Sequence, residues 1–235
     1  MPLHTIKRYD EELTQLKELV LSMGGLVERA IKNAVRSMLE QDAKRARKTI
    51  DRDAAINALE VQCDDLTRHI LVRRQPAAGD LRFIIATIKV VTDLERMGDL
   101  AAGIAEGTLR MLDKLPKNFS NLEAMGEKVL RQVNRALDAL SRGDIDLAMT
   151  VIEKDQGVDE LYKAMYREMI TYMLEDTRTI TTSIILSSAS KNLERIGDHA
   201  TNIAEMVIYN IRGHDIRHVD HEEAAKLLSG EDEDD

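Results

Sequence analysis

The 235-residue chain has no tryptophan, two phenylalanines, five tyrosines, three prolines and a single cysteine. Each shortage excludes something. One thiol, Cys63, rules out an internal disulfide and points to a reducing compartment, where such a residue is usually a small apolar filler. Proline occurs only at Pro2, Pro76 and Pro116, so long stretches carry no helix breaker. No run of about 18 apolar residues exists to read as a bilayer span. Met1 to Asp10 is polar and holds no apolar signal-peptide core, so the expected location is cytoplasmic. No basic stripe marks the body as a nucleic-acid binder.

What fills the chain is Leu, Ala, Ile, Met, Glu, Arg and Lys, good helix formers apart from β-branched Ile. The net charge is −9, but from Asp220 onward eight acids and one Lys account for −7, which leaves about −2 for the body. The stretch ending Glu231-Asp-Glu-Asp-Asp235 reads as a solvated, disordered tail.

The chain repeats itself. Asp93-Leu-Glu-Arg-Met-Gly-Asp-Leu-Ala-Ala-Gly-Ile-Ala-Glu106 returns 99 residues later as Asn192-Leu-Glu-Arg-Ile-Gly-Asp-His-Ala-Thr-Asn-Ile-Ala-Glu205, identical at nine of fourteen positions. Upstream, with a shift of 102, Met23-Gly24 answers Met125-Gly126, Val35 answers Leu137 and Asp53 answers Asp155. Apolar residues in a 3–4 rhythm place helices at about Thr5–Glu40, Asp42–Gln75 and from an Asp80 N-cap towards Pro116. A capping box at Ser120–Glu123, Asp144 and Thr179 open three more, the last ending near Arg212. The expected fold is all-α: two tandem three-helix bundles of six long helices, at 1–115 and 116–212, then the acidic tail 213–235, with the boundary at Pro116–Phe119. Gly24-Gly25 reads as a bend or a close packing point.

Within the repeat, Glu95 and Asp99, then Glu194 and Asp198, stand four residues apart on one helix face, where like charges repel by a few tenths of a kcal/mol, roughly. They continue the line of Ile84 and Ile88, while Phe83, Val90, Leu94, Met97, Ala101 and Ile104 face the core. On the preceding helix, Asp155 and Asp159 form a second such pair, matched in the first copy by Asp53 and Asn57, with Glu60 and Asp64 able to make up the missing charge. In antiparallel neighbours these pairs face each other as oxygen-only clusters suited to Mg²⁺, Ca²⁺, Mn²⁺ or ferric iron. Gly98 and Gly197, each unfavourable by roughly 1 kcal/mol against Ala in a helix, suggest close approach of something. His214, His218 and His221 lie beyond the last helix, and His199 is turned about 100° away from Asp198. No P-loop, nucleophile elbow or di-iron Glu-x-x-His pattern appears at the repeated sites.

These doubled motifs resemble the PhoU family, accessory proteins of bacterial phosphate-specific transport, over nearly all of 1–212. The resemblance implies a cytoplasmic, dimeric, non-enzymatic negative regulator of the phosphate-starvation response. Its implied partners are the ATPase subunit of the phosphate ABC transporter and a sensor histidine kinase, with membrane association only through them. It also implies metal clusters of Mg, Mn, Fe or Zn on Glu95/Asp99, Glu194/Asp198 and Asp155/Asp159. Asn57, a departure at Asp53/Asn57, and Gly103, where the second copy has Asn202, weaken the first cluster. The alternatives are a dimetal carboxylate hydrolase or oxidase, and a metal-free helical scaffold.

Overall fold

A computed structural model describes residues 3–76, 78–111, 120–217 and 219. Among them are seven α-helices: α1 Leu3–Glu40, α2 Ala43–Arg74, α3 Ala78–Arg110, α4 Ser120–Arg142, α5 Ile145–Glu153, α6 Gln156–Glu175 and α7 Ile180–Arg212. The fold is all-α, with α1–α3 forming the first repeat and α4–α7 the second. The boundary at Pro116–Phe119, His218, His221 and the acidic tail from Asp220 lie outside the described residues.

Caps explain most boundaries. Asp42 accepts the Arg45 backbone N–H at 2.9 Å and Asp144 that of Leu147 at 2.9 Å, each satisfying an otherwise unpaired donor of a first turn. Gln75, in the left-handed region at φ 50°, closes α2 ahead of Pro76. Asp80 is not an N-cap. It lies in the first turn of α3, where its charge suits the helix dipole, and it accepts the Tyr9 hydroxyl at 2.9 Å. The expected fifth helix is two. At Lys154–Asp155 the bonding tightens to a three-residue step, with Val158 N–H donating to Asp155 C=O at 2.8 Å, and α6 starts at Gln156.

The two repeats are not separate beads. α3 and α7 make the most extensive helix pairing, α1 packs on α4, and the buried residues of all seven helices form one continuous core. Reciprocal contacts fix the geometry. Along α3 and α7, Asp93 meets His199, Asn192 meets Leu100 and Gly107 meets Ile185, so the helices run antiparallel. Across α1 and α4, a Cβ on Gly24 would lie 2.7 Å from Leu137 Cδ2, and one on Gly126 would lie 2.7 Å from Val35 Cγ1. Both contacts join repeat-equivalent residues, which is the signature of a pseudo-two-fold axis. The Met-Gly dipeptides therefore permit close packing between repeats. α2 and α6 occupy the outer flanks, each packed mainly on its own repeat. As expected, Val90, Leu94, Met97, Ala101 and Ile104 are fully buried. Ile84 is buried too, so only Ile88, 39 % exposed, continues the carboxylate line.

Candidate functional site

On the first flank, Asp53, Asn57 and Glu60 of α2 face Glu95 and Asp99 of α3. Asp53, Glu60 and Glu95 are half-buried, while Asn57 and Asp99 are exposed. Burial, then the charges of Asp99, Glu60 and Asp53, pushes the Glu95 carboxyl above the usual glutamate range. Asp53 is raised by burial and then by Asp99, against a hydrogen bond from Asn57. Glu60 is raised by burial, then by Asp64 and Asp99. Among the described residues no cation acts on Asp53 or Glu60 to offset these effects. Asp53 Oδ1 is buried and accepts no hydrogen bond. Gly98 explains the proximity: a Cβ there would lie 2.9 Å from Ile56 Cδ1 and 3.0 Å from Asp53 Oδ1. What approaches this glycine is the acidic turn of the neighbouring helix.

On the second flank, Asp155 and Asp159 of the α5–α6 junction face Glu194 and Asp198 of α7. Burial first, then Glu194, Asp155 and Asp159, pushes Asp198 up to about 6. Gly197 again faces the neighbouring helix, with Val158 Cγ1 at 3.6 Å and Asp155 Oδ1 at 3.7 Å from an added Cβ. Here the acids have company. Lys191 Nζ binds both oxygens of Glu194 at 2.6 Å, and Gln132 Nε2 donates to Asp155 Oδ1 at 2.9 Å. At the first flank Thr92 and Ala30 stand in those two places. The first flank thus lacks the counterion that is built into the second.

The donor set is carboxylate oxygen, the kind that hard cations prefer, and the bare Asp53 Oδ1 is a lone pair in want of a partner. The chemistry fits. The side chains are not gathered into a finished cage, since among the described residues no three His, Cys, Asp or Glu groups converge as a ready metal site. A cation held here would draw the α2 and α3 carboxylates together by rotamer changes.

One expectation is met and another corrected at the seam between repeats. His199 does turn away from the Asp198 cluster: it is buried, and its Nδ1 lies 2.8 Å from Asp93 Oδ1. Asn202 Nδ2 donates to the same oxygen at 3.2 Å. At the mirrored place Asn192 Nδ2 reaches the Leu100 carbonyl at 3.5 Å and lies 3.0 Å from where a Gly103 Cβ would be. Gly103 against Asn202 is therefore a difference in the α3–α7 seam and has no bearing on the first carboxylate cluster. The missed residues, Gln132, Lys191 and the Asp93–His199–Asn202 set, all sit where the two copies depart from one another. His214 is exposed and takes no part in either flank.

Among the described residues no helix is long and apolar enough to cross a membrane. The family profile of the PhoU domain matches residues 20–108 and 122–207. The phosphate-specific transport system accessory protein PhoU homolog of Pseudomonas aeruginosa is 42% identical over 218 residues, 92% of this chain and 90% of that protein. The accessory protein PhoU of Escherichia coli K12 is 35% identical over 232 residues, 98% and 96% of the two chains. The crystal structure of PhoU from P. aeruginosa superposes with a TM-score of 0.85, covering 88% of this chain and all of that one at 42% identity. That of the phosphate transport system regulatory protein PhoU from Streptococcus pneumoniae gives 0.82 at 29% identity, over 88% of this chain and 98% of its own. With two domain matches that coincide with the internal duplication, the chain belongs to the PhoU family.

Proposed function

We propose that the protein is a non-catalytic, cytoplasmic regulator of phosphate uptake that couples the ATPase subunit of a phosphate ABC transporter to a sensor histidine kinase. The names of its relatives, accessory and regulatory proteins of phosphate transport systems, support the first half of that reading. The carrying observation is the pair of acidic flanks, whose carboxyls are pushed above their ordinary range by burial and by one another. Such a surface holds repulsion that a cation, or a basic partner surface, relieves. In this reading Asp53, Asn57, Glu95 and Asp99, and Asp155, Asp159, Glu194 and Asp198, bind Mg, Mn, Fe or Zn ions. The cation ties each outer helix to its neighbour, and a homodimer presents the stiffened flanks to its partners. Negative control requires tighter binding to the kinase's inhibited state than to its active one, because equal affinity shifts nothing.

The test combines metal quantification with kinase autophosphorylation in transporter-containing membranes. Wild type is expected to retain metal and to lower autophosphorylation. Glu95→Ala/Asp99→Ala and Glu194→Ala/Asp198→Ala are each expected to lose metal and part of the inhibition. Autophosphorylation indifferent to the wild-type protein removes the regulatory reading. Metal-dependent phosphate-ester hydrolysis or oxygen consumption would make it an enzyme instead.

A further inference from the structure

Between α3, α7 and Arg217, in the stretch that follows α7, lies a cavity of about 520 Å³. Ile216, 4 % exposed, pins that stretch to the core beside it. The volume suits a small organic molecule and is far more than a bare ion fills. One wall is apolar, from Ile88 and Met206, and the rest is polar. The cavity is no by-product of the duplication: the repeat counterparts of Lys89, Asp93, Asn202 and Met206 are Ser188, Asn192, Gly103 and Gly107.

The hydrogen-bonding capacity left open on the polar walls is mostly that of acceptors. Asp93 is only 9 % exposed, and His199 and Asn202 both bind its Oδ1. Among the described residues its Oδ2 accepts no hydrogen bond, yet it is not sealed from solvent, so it opens on the cavity that Asp93 lines. Asn202 spends its amide N–H on Asp93, which leaves its carbonyl oxygen free. The Thr92 hydroxyl spends its proton on the Ile88 carbonyl at 3.0 Å and keeps only lone pairs. Glu205 makes no hydrogen bond or ion pair among the described residues. Burial, and the charges of Asp215, Asp93 and Asp155 against the pull of Arg217, push its carboxyl up to about 7.

The cations do not balance these acceptors. Arg217 is clasped by Asp215, with Nε donating to Oδ1 at 2.8 Å, so its charge is largely spent. Lys89 lies over the Tyr209 ring, 5.8 Å from its centroid, and its charge also acts on Asp215. A buried carboxylate oxygen without a donor is costly, and two carboxyls that repel each other are relieved by positive charge. An anion would add to that repulsion. We propose that this cavity binds a small aliphatic primary amine, with Asp93, Glu205 and Asn202 accepting from the ammonium and Ile88 and Met206 covering the carbon chain. The site does not depend on metal at the carboxylate flanks. Its occupant rests against the Asp93–His199–Asn202 link and so ties the two repeats together at their seam.

Calorimetric titration of the full-length, metal-free protein with butylamine, butanol, putrescine and γ-aminobutyrate, at about pH 8 where carboxyls are ionised, tests it. Butylamine is expected to bind, and butanol, of the same shape without the charge, to give no signal. Glu205→Gln is expected to weaken butylamine about tenfold with helicity unchanged, and the mirrored Glu106→Gln to leave it as in wild type. Lys89→Gln removes an opposing charge and is expected to tighten butylamine, a gain that a misfolded variant would not give. Putrescine binding more tightly than γ-aminobutyrate would identify a polyamine as the occupant. The reverse order would identify an amine that also carries an acid for Lys89. Absence of butylamine binding at millimolar concentration, or undiminished binding by Glu205→Gln, would overturn the site. So would an equal loss in Glu106→Gln, which would reduce the binding to general attraction by an acidic chain.

Discussion

An alanine at Gly126 would place its Cβ 2.7 Å from Val35 Cγ1 and 3.1 Å from Cγ2, and valine has no flexible end to swing aside. At the mirrored contact the neighbour of Gly24 is Leu137, whose Cδ atoms can rotate away. Gly126→Ala is therefore expected to destabilise by about 1–3 kcal/mol of overpacking, net of the helix-propensity gain. Gly24→Ala should cost less, and Val35→Ala should recover part of the Gly126→Ala loss in a double-mutant cycle read by urea unfolding. The acids give a second prediction at this scale. Asp198, raised to about 6, and Glu205, raised to about 7 mainly by burial against the opposing pull of Arg217, bind protons more tightly when folded. Between roughly pH 4 and pH 7 the folded chain holds the extra protons, so stability falls as pH rises through that window. Glu12 and Asp215, lowered by Arg74 and Arg217, work the other way but lose their contribution only below the ordinary carboxylate range. Chelator-treated protein should thus melt higher at about pH 5 than at about pH 7.5. Asp198→Asn should flatten that slope and raise the melting point of metal-free protein at neutral pH.

Between elements, the Asp93–His199–Asn202 set is a buried polar link across the longest helix pairing in the molecule. His199→Ala leaves the Asp93 carboxylate with Asn202 alone and is expected to cost about 1–3 kcal/mol. Hydrogen exchange should show the loss as weaker protection in α3 and α7 while α2 is unaffected. This link marks where sequence reading stopped. The helices themselves were legible, because apolar residues recur every three to four positions and Asp42 and Asp144 are strong caps. The paired carboxylates were legible because i, i+4 spacing on a helix is a distance in space, and because the duplication wrote it twice. The seam was not. Asp93 against Asn192, Leu100 against His199 and Gly103 against Asn202 look like three unrelated departures until α3 and α7 are known to run antiparallel, when they become two ends of one interface. The break at Lys154–Asp155 was hidden for a similar reason: α4 sets it, by laying Lys128 over Gly157 and Gln132 against Asp155.

For the whole molecule, the pseudo-two-fold sets one acidic patch on each flank around a shared core, so cations bound at the two would add to stability with little cross-talk. A cation at a hundredfold over its dissociation constant adds about 2.7 kcal/mol per site, enough to move the melting temperature by several degrees. Counting acids does not separate the two flanks, since Glu60 makes up for the charge that Asn57 withholds from the first. The counterions do separate them. A cation entering the second flank must displace Lys191 from Glu194, while the first flank offers Asp53 Oδ1 with no bond to break. Manganese is therefore expected to raise the melting temperature at neutral pH, and Glu95→Gln/Asp99→Asn should remove more of that rise than Glu194→Gln/Asp198→Asn. Lys191→Gln should strengthen the second site and bring the two contributions closer. Because protons compete for the same carboxyls, the rise should shrink as pH falls through about 6 and be small near pH 5. A melting temperature indifferent to manganese at neutral pH would show that these flanks hold no metal, and would leave a basic partner surface as the group that neutralises them.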